Sequence, residues 1–332
     1  MTPADVLQSA LDSAGPQAAH IERLWWLMFW VTSGVFVIVI GLLAVAVVRG
    51  RRAARRAPDD GLPTRDALRA HEDRTNPMLT RAVALALGAT VAILFVLLVA
   101  SVWTGRTVGA LGAASAVTVN VTGHQFWWEI EYEDATPSRR VTTANEIHIP
   151  VGRPVVLKVT SRDVIHSFWV PNLHGKRDLI PGYTTAIWLQ ADRPSVYRGQ
   201  CAEFCGRQHA HMAFDVVAEP DAQFERWLDA QRQTAPPPHD PAAERGQRVF
   251  LKSQCALCHT VRGTPAQGRV GPELTHVASR GKIAAGTLPN TSGHLAGWVI
   301  DAQQIKPGSQ MPPNHLGSDD LQALLVYLEA LK

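Results

Sequence analysis

The sequence predicts a multidomain chain: a two-helix transmembrane hairpin, an all-β barrel or sandwich, and an all-α C-terminal domain. Three observations carry that prediction. Two uncharged apolar runs, residues 24–48 (25 residues) and 82–105 (24 residues), lie in the first third. Alternation of apolar and polar residues begins near Ala116. A stretch with prolines at 236, 237, 238 and 241 then precedes a segment of helical pattern. The 332 residues leave room for two or three domains. With 46% apolar and 18% charged residues the chain is not disordered. A net charge of +3 without a concentrated basic face argues against a nucleic-acid partner. Four cysteines are too few for a small disulfide scaffold.

Each apolar run, as a helix, reaches roughly 36 Å, enough for a hydrocarbon core of roughly 30 Å. Trp25, Trp26 and Trp30 cluster at one end of the first run and Trp103 at the far end of the second, as interfacial aromatics do. Between the runs stand nine arginines: Arg49, Arg51, Arg52, Arg55, Arg56, Arg65, Arg69, Arg74 and Arg81. Excess positive charge stays in the cytoplasm, so this connection is expected inside and both termini outside. A cleaved signal peptide is the competing reading of the first run, but that run is long and the residues before it are not basic.

Period-two patterns at 117–121, 146–149 and 155–159, with shorter runs at 184–189 and 212–217, read as strands. Turn signals at 151–154 and 181–182 separate them. Asp221 reads as the N-cap of a helix to about Gln231. The expected division is 1–106 for the N-terminal segment and membrane helices, 107–232 for the β-domain, 233–241 for a stiff linker and 242–332 for the helical domain. Residues 107–241 carry 12 basic and 15 acidic groups, and residues 242–332 carry 9 and 6. That asymmetry could help the two dock on each other, but scattered surface charge is the commoner explanation.

Two motifs carry the chemistry. Cys201, Cys205, His209 and Met212 lie within twelve residues, with His166 upstream. Soft sulfur donors beside imidazole select copper, zinc or iron, and the thioether tilts the choice to copper. A Cys201–Cys205 disulfide and a zinc site are the alternatives at this point, and His211 competes with His209. The second motif, Cys255-Ala256-Leu257-Cys258-His259, is the C-x-x-C-H of covalent haem attachment. Its alternative is a lone redox pair.

The first motif, together with the upstream His166-Ser167 and with Gly123-His124-Gln125-Phe126-Trp127-Trp128, resembles cytochrome c oxidase subunit II over residues 20–232. The resemblance implies a cupredoxin-like barrel holding the binuclear CuA centre. Cys201 and Cys205 would bridge the coppers, and His166 and His209 would each bind one. Met212 and the Glu203 carbonyl would be weak ligands. The Glu203 carboxylate would help hold a magnesium ion against the catalytic subunit, and Asp178 would have a structural or docking role. Residues 242–332 resemble a class I cytochrome c, implying haem c on Cys255 and Cys258 with His259 and Met311 as axial ligands. His276, His294 and His315 compete for the distal place.

The resemblance implies an electron-entry subunit that passes electrons from haem through CuA to oxidase subunit I. Its expected surroundings are further oxidase subunits, the lipid bilayer of a bacterial inner membrane, and a donor such as a cytochrome c or an upstream quinol-oxidising complex. Both redox domains would face the periplasm. A CuA-bearing nitric oxide reductase is the alternative. A copper-storage protein is disfavoured by the haem motif, and a quinol oxidase by the copper-binding cysteines. Two departures stand out. Phe126 occupies the position where the family has a tryptophan for electron entry, which puts the external docking route in doubt; a tethered partner docking elsewhere would account for it. Arg74 to Thr80 lacks a Glu-Trp-Thr segment that the family often has, and its role is not carried over to Glu72.

Overall fold

The computed structural model describes residues 6–56, 77–110 and 117–332. Glu72, Arg65, Arg69 and Arg74 lie outside these residues. The described chain forms two compact units, 20–110 and a second one combining the N-terminal segment with 111–332.

The first unit is helical. Helix α1 spans Pro16–Arg56 and α2 spans Pro77–Ala110. Both outrun the uncharged segments. At 1.5 Å per residue, 41 and 34 residues give about 60 and 50 Å. The excess at the end of α1 carries Arg49, Arg51, Arg52 and Arg55, so backbone hydrogen bonding continues where the apolar run stops. Large apolar side chains point outward along both helices, Phe36 at 65% and Leu85 at 75% exposure. Such a surface suits hydrocarbon, and both helices are long and apolar enough to cross a membrane.

The second unit holds a two-sheet β-sandwich and a helical domain. One sheet orders β4 (Val141–Ala144), β3 (Trp127–Tyr132), β2 (Val117–His124), β6 (Val155–Ser161) and β9 (Thr185–Leu189). The other orders β5 (Glu146–Pro150), β11 (Ala213–Glu219), β10 (Ser195–Cys201), β7 (His166–Trp169) and β8 (Arg177–Leu179), with β1 (Val6–Leu7) on β10. Alternation drives the packing: along β6, Val155, Leu157 and Val159 are fully buried and their neighbours are not. Trp128 is central, with its ring 5.1 Å from Phe214 and 6.1 Å from Phe168. The N-terminal segment is tied to this domain, Ala14 N–H donating to the Asn172 carbonyl at 2.7 Å. Helix α3 is Asp221–Gln231. Asp221 opens this helix, and the cap position falls on Pro220, which offers no side-chain hydrogen bond.

Residues 233–235, expected as a stiff spacer, lie on the helical domain. Ala235 N–H donates to the Arg262 carbonyl at 2.9 Å, and a His276 ring nitrogen lies 3.1 Å from the Gln233 carbonyl. That domain consists of α4 (Pro241–Lys252), α5 (Cys255–Cys258), α6 (Ser292–Ile300), α7 (Ala302–Ile305) and α8 (Ser318–Ala330). It also contains a small ribbon, β12 (Lys282–Ile283) with β13 (Leu288–Pro289). Asp240 caps α4 by accepting from the amides of Ala242 and Ala243. Gly246 lets α4 cross α8 closely: a Cβ there would lie 2.0 Å from the Ala323 carbonyl oxygen.

The helical domain packs on the sandwich along a polar seam. Ala213 N–H donates to the Ala285 carbonyl (3.0 Å), and Gln208 Nε2 to the Pro307 carbonyl (2.8 Å). Lys282 pairs with Asp215 at 2.8 Å. Lys306 Nζ donates to the carbonyls of Phe126 (2.9 Å) and Ala284 (3.0 Å). The helical-domain side of the seam includes the turn Ala284-Ala285-Gly286, with φ of +54°, +55° and +75°. For alanine that left-handed backbone costs about 1–2 kcal/mol per residue.

Candidate functional site

Three neighbouring stretches of one sheet assemble the first donor set. Strand β7 starts with His166, β10 ends with Cys201, and the loop to β11 carries Cys205, His209 and Met212. The loop is closed by Cys201 N–H to the Met212 carbonyl and Ala202 N–H to the Ser167 carbonyl, both 2.9 Å. Gly206 turns at φ +123°, close to Gln125 and the Phe126 ring. A Cβ on Gly123 would come within 2.8 Å of the His166 ring, so the small residue makes room for that imidazole.

The donors converge. Cys201 Sγ is 3.8 Å from Cys205 Sγ, 3.8 Å from His166 Nδ1 and 3.1 Å from the Glu203 carbonyl oxygen. Cys205 Sγ is 3.7 Å from His209 Nδ1 and 3.8 Å from Met212 Sδ. A disulfide would hold the sulfurs at about 2.05 Å. The hydrogen bond offered by Cys205 pulls the Cys201 thiol well below its ordinary value, and the resulting thiolate pushes the Cys205 thiol up. The pair therefore yields its first proton readily, as a metal-binding thiol must. Burial works against charge on His166, but the Cys201 sulfur and Asp163 outweigh it and raise the imidazole. His166 Nε2 lies 2.8 Å from Asp163 Oδ1, which turns Nδ1 toward the sulfurs. Two thiols, two imidazoles, a thioether and a carbonyl form a soft donor set that fits copper.

The second donor set lies in a largely apolar cavity. Cys255, Cys258, His259 and Met311 all line it. His259 Nδ1 lies 2.7 Å from the Pro272 carbonyl, so its N–H is spent there and Nε2 is left for a metal. Burial lowers the pKa of this imidazole, which keeps it neutral. A Cβ on Gly271 would meet the His259 ring at 2.6 Å. Arg280, 6% exposed, also lines the cavity, and its Nε has no hydrogen-bond partner among the described residues. An apolar cavity with two thiols, an imidazole, a thioether and an unsatisfied guanidinium N–H fits a haem bearing carboxylates.

The first set contains every residue expected from the motif. Of the competitors, His211 is exposed and its Nδ1 lies 2.8 Å from Gln208 Oε1. His276 spends both ring nitrogens on carbonyls, those of Lys332 and Gln233. Asp178 lies on β8 opposite Ser167. The Phe126 turn does not stand apart from the tethered domain: Gln125, Phe126 and Trp127 form part of the wall of the second cavity. Sequence reasoning missed Asp163, Arg280 and Lys306. Asp163 had a faint signal, an acid three residues before a histidine of the first donor set; the other two had none.

The fold and donor sets define a class: a redox protein with two apolar helices, a sulfur-rich site in a β-sandwich and a haem-type cavity in a helical domain. Residues 135–219 match the family described as cytochrome c oxidase subunit II, periplasmic domain, and residues 243–332 match cytochrome c. Cytochrome c oxidase subunit 2 of Alkalihalophilus pseudofirmus is 34% identical over 332 residues, covering 98% of this chain and 91% of that one. The subunit of Bacillus sp. strain PS3 is 36% identical over 230 residues, covering 66% of this chain and 63% of its own. The periplasmic domain of cytochrome oxidase subunit II of Bradyrhizobium japonicum aligns with TM-score 0.34 and 28% identity, over 36% of this chain and 96% of that domain. The chain belongs to the cytochrome c oxidase subunit II family and carries a cytochrome c domain at its C-terminus. It is thus a subunit of a haem-copper oxidase, an oxidoreductase, and its two family matches imply a CuA centre and a haem.

Proposed function

We propose that this chain is the electron-entry subunit of a terminal oxidase, relaying electrons from a c-type haem through binuclear CuA to subunit I, where oxygen is reduced to water. One observation carries the reading: two redox-type donor sets are assembled in one unit, and the Phe126 turn beside the first also walls the second. When bound, the haem and the dicopper pair supply one-electron chemistry.

The chain's own residues hold and insulate them. Cys201, Cys205, His166 and His209 would hold the coppers, with Met212 and the Glu203 carbonyl as weaker donors. Asp163 orients His166, and burial of both sulfurs keeps water out. Cys255 and Cys258 would anchor the haem by thioethers, His259 and Met311 would bind its iron, and Arg280 would meet a carboxylate. The exposed Glu203 carboxylate would share a magnesium ion with subunit I. Exposed apolar side chains beside the copper site support such a partner: Ile165 adjoins His166, and Phe204, 76% exposed, stands between the cysteines.

In this reading residues 1–106 anchor the chain in the membrane, 107–232 carry CuA, 233–241 connect, and 242–332 carry haem. The arginines at the end of α1 mark the cytoplasmic side, so both redox domains and both termini face the periplasm. A cytochrome c or a quinol-oxidising complex would feed the haem. The test is elemental and spin-resonance analysis of the purified oxidase. The expected result is a copper pair sharing one unpaired electron, with haem that stays on the chain after denaturation. A single isolated copper, or haem lost on denaturation, would sink the reading. The metal beside the catalytic haem of subunit I, copper or iron, separates oxygen from nitric oxide as acceptor.

A further inference from the structure

We propose that Lys306 is a positioning residue for haem-to-copper transfer, pinning the Phe126 turn of the β-domain to the Ala284 turn of the helical domain. The proposal deepens the relay reading and rests on it.

Lysine is almost never fully buried without a reason, yet Lys306 is 2% exposed. It stands just after α7, lines the second cavity and reaches across the seam. Its two acceptors belong to different domains: the Phe126 carbonyl at 2.9 Å and the Ala284 carbonyl at 3.0 Å. No carboxylate is bonded to it among the described residues. A surface ion pair has a different character: Lys282–Asp215 on the same seam is partly solvated on both sides.

Both partners of Lys306 need holding. Ala284 and its neighbour Ala285 sit in left-handed backbone that alanine rarely adopts, so an external bond selects that turn. The Ala285 carbonyl in turn receives the amide of Ala213, next to Met212. On the other side, Gln125 Nε2 donates to the Cys205 carbonyl at 2.6 Å, and the Phe126 ring lies against Gly206. One lysine Nζ therefore joins two short chains of contacts, each ending beside a copper-site ligand. Electron transfer falls steeply with added gap, so a turn free to shift by an ångström would slow it. The donor haem iron gives up one electron and the dicopper pair gains it; Lys306 exchanges nothing.

The test uses the intact oxidase with Lys306→Met, Lys306→Gln, Lys306→Arg and Asp215→Asn. Hydrogen exchange is followed at the Ala213 amide and residues 123–128, with β6 as reference. In Lys306→Met, exchange at both sites is expected to rise about tenfold with β6 unchanged, because a lost bond of about 1.4 kcal/mol is a factor of ten. Flash-initiated haem-to-copper transfer should slow by about tenfold or more with both cofactors at full content. Lys306→Arg should recover most of both, and Asp215→Asn should alter neither much. Wild-type exchange and transfer in Lys306→Met would overturn the proposal, as would an equal effect of Asp215→Asn, since the seam would then act as a whole. If Lys306→Met does not fold, Lys306→Gln gives the same comparison. Lost protection throughout β6 in both would also overturn it, making Lys306 a general core element. Absence of any transfer in the wild type, with the seam protected, would sink the relay itself and leave the pin standing.

Discussion

Single side chains decide whether this protein can hold metal. The Cys201 sulfur lies within 3.8 Å of three other groups of the first donor set, and its thiol is pulled below the ordinary value by the hydrogen bond from Cys205. Replacing it by serine puts a hard oxygen in place of a soft thiolate. Cys201→Ser should lose most of its copper by elemental assay while keeping its haem; copper retained at the wild-type level would contradict the assignment. His174 gives a pH dependence independent of either site. Burial lowers its pKa below the ordinary 6.5. Above pH 6.5 it is neutral folded or unfolded and contributes nothing. As pH falls below 6.5 the unfolded chain takes up a proton that the folded chain resists, so stability drops until the pH passes the folded value. The denaturation midpoint of wild type should therefore fall more between pH 7 and 5 than that of His174→Gln, read by urea titration.

Among the elements, close crossings and short loops do the positioning. Helix α4 meets α8 at Gly246, where a side chain would run into backbone and cannot rotate away. Gly246→Val should destabilise the helical domain by about 1–3 kcal/mol or more, through overpacking. Its thermal transition, followed at the haem absorption, should fall while copper content stays unchanged. The loop from β10 to β11 does the same work for the other site. Its two flanking strands are fixed by the sheet register, Gln200 opposite Ala213, so the donors between them have little freedom. The helix expected over 221–231 forms over Asp221–Gln231, with its cap one residue earlier than the acid suggests. Strand patterns were legible for a related reason: each strand has one wet and one dry face, and burial writes that alternation into the sequence.

At the scale of the whole molecule, the tether and the seam act together. The connection keeps the haem domain at a high effective concentration beside the β-domain, and the seam chooses one orientation. Inserting a protease site at residues 236–238 and cutting it should make haem-to-copper transfer depend on protein concentration. Dilution to micromolar levels should slow it by roughly 10²–10⁴. A rate independent of dilution would mean that the seam alone holds the domains. Residues 233–235 already bond to the helical domain, so the freely spanning part is shorter than the proline-rich composition suggests.

The sequence by itself determined the two apolar helices, the β-domain, the helical domain and both donor sets, because hydrophobic period and ligand spacing are local properties of a chain. Tertiary structure decided what meets across distance. His166 reaches the sulfurs since β7 pairs with β10, Asp163 turns that imidazole, and Arg280 faces the second cavity. Lys306 and Phe126 stand 180 residues apart, and no periodicity encodes their meeting. A lone lysine in a sequence looks like surface; it took the packing of two folded domains to bury it between two carbonyls.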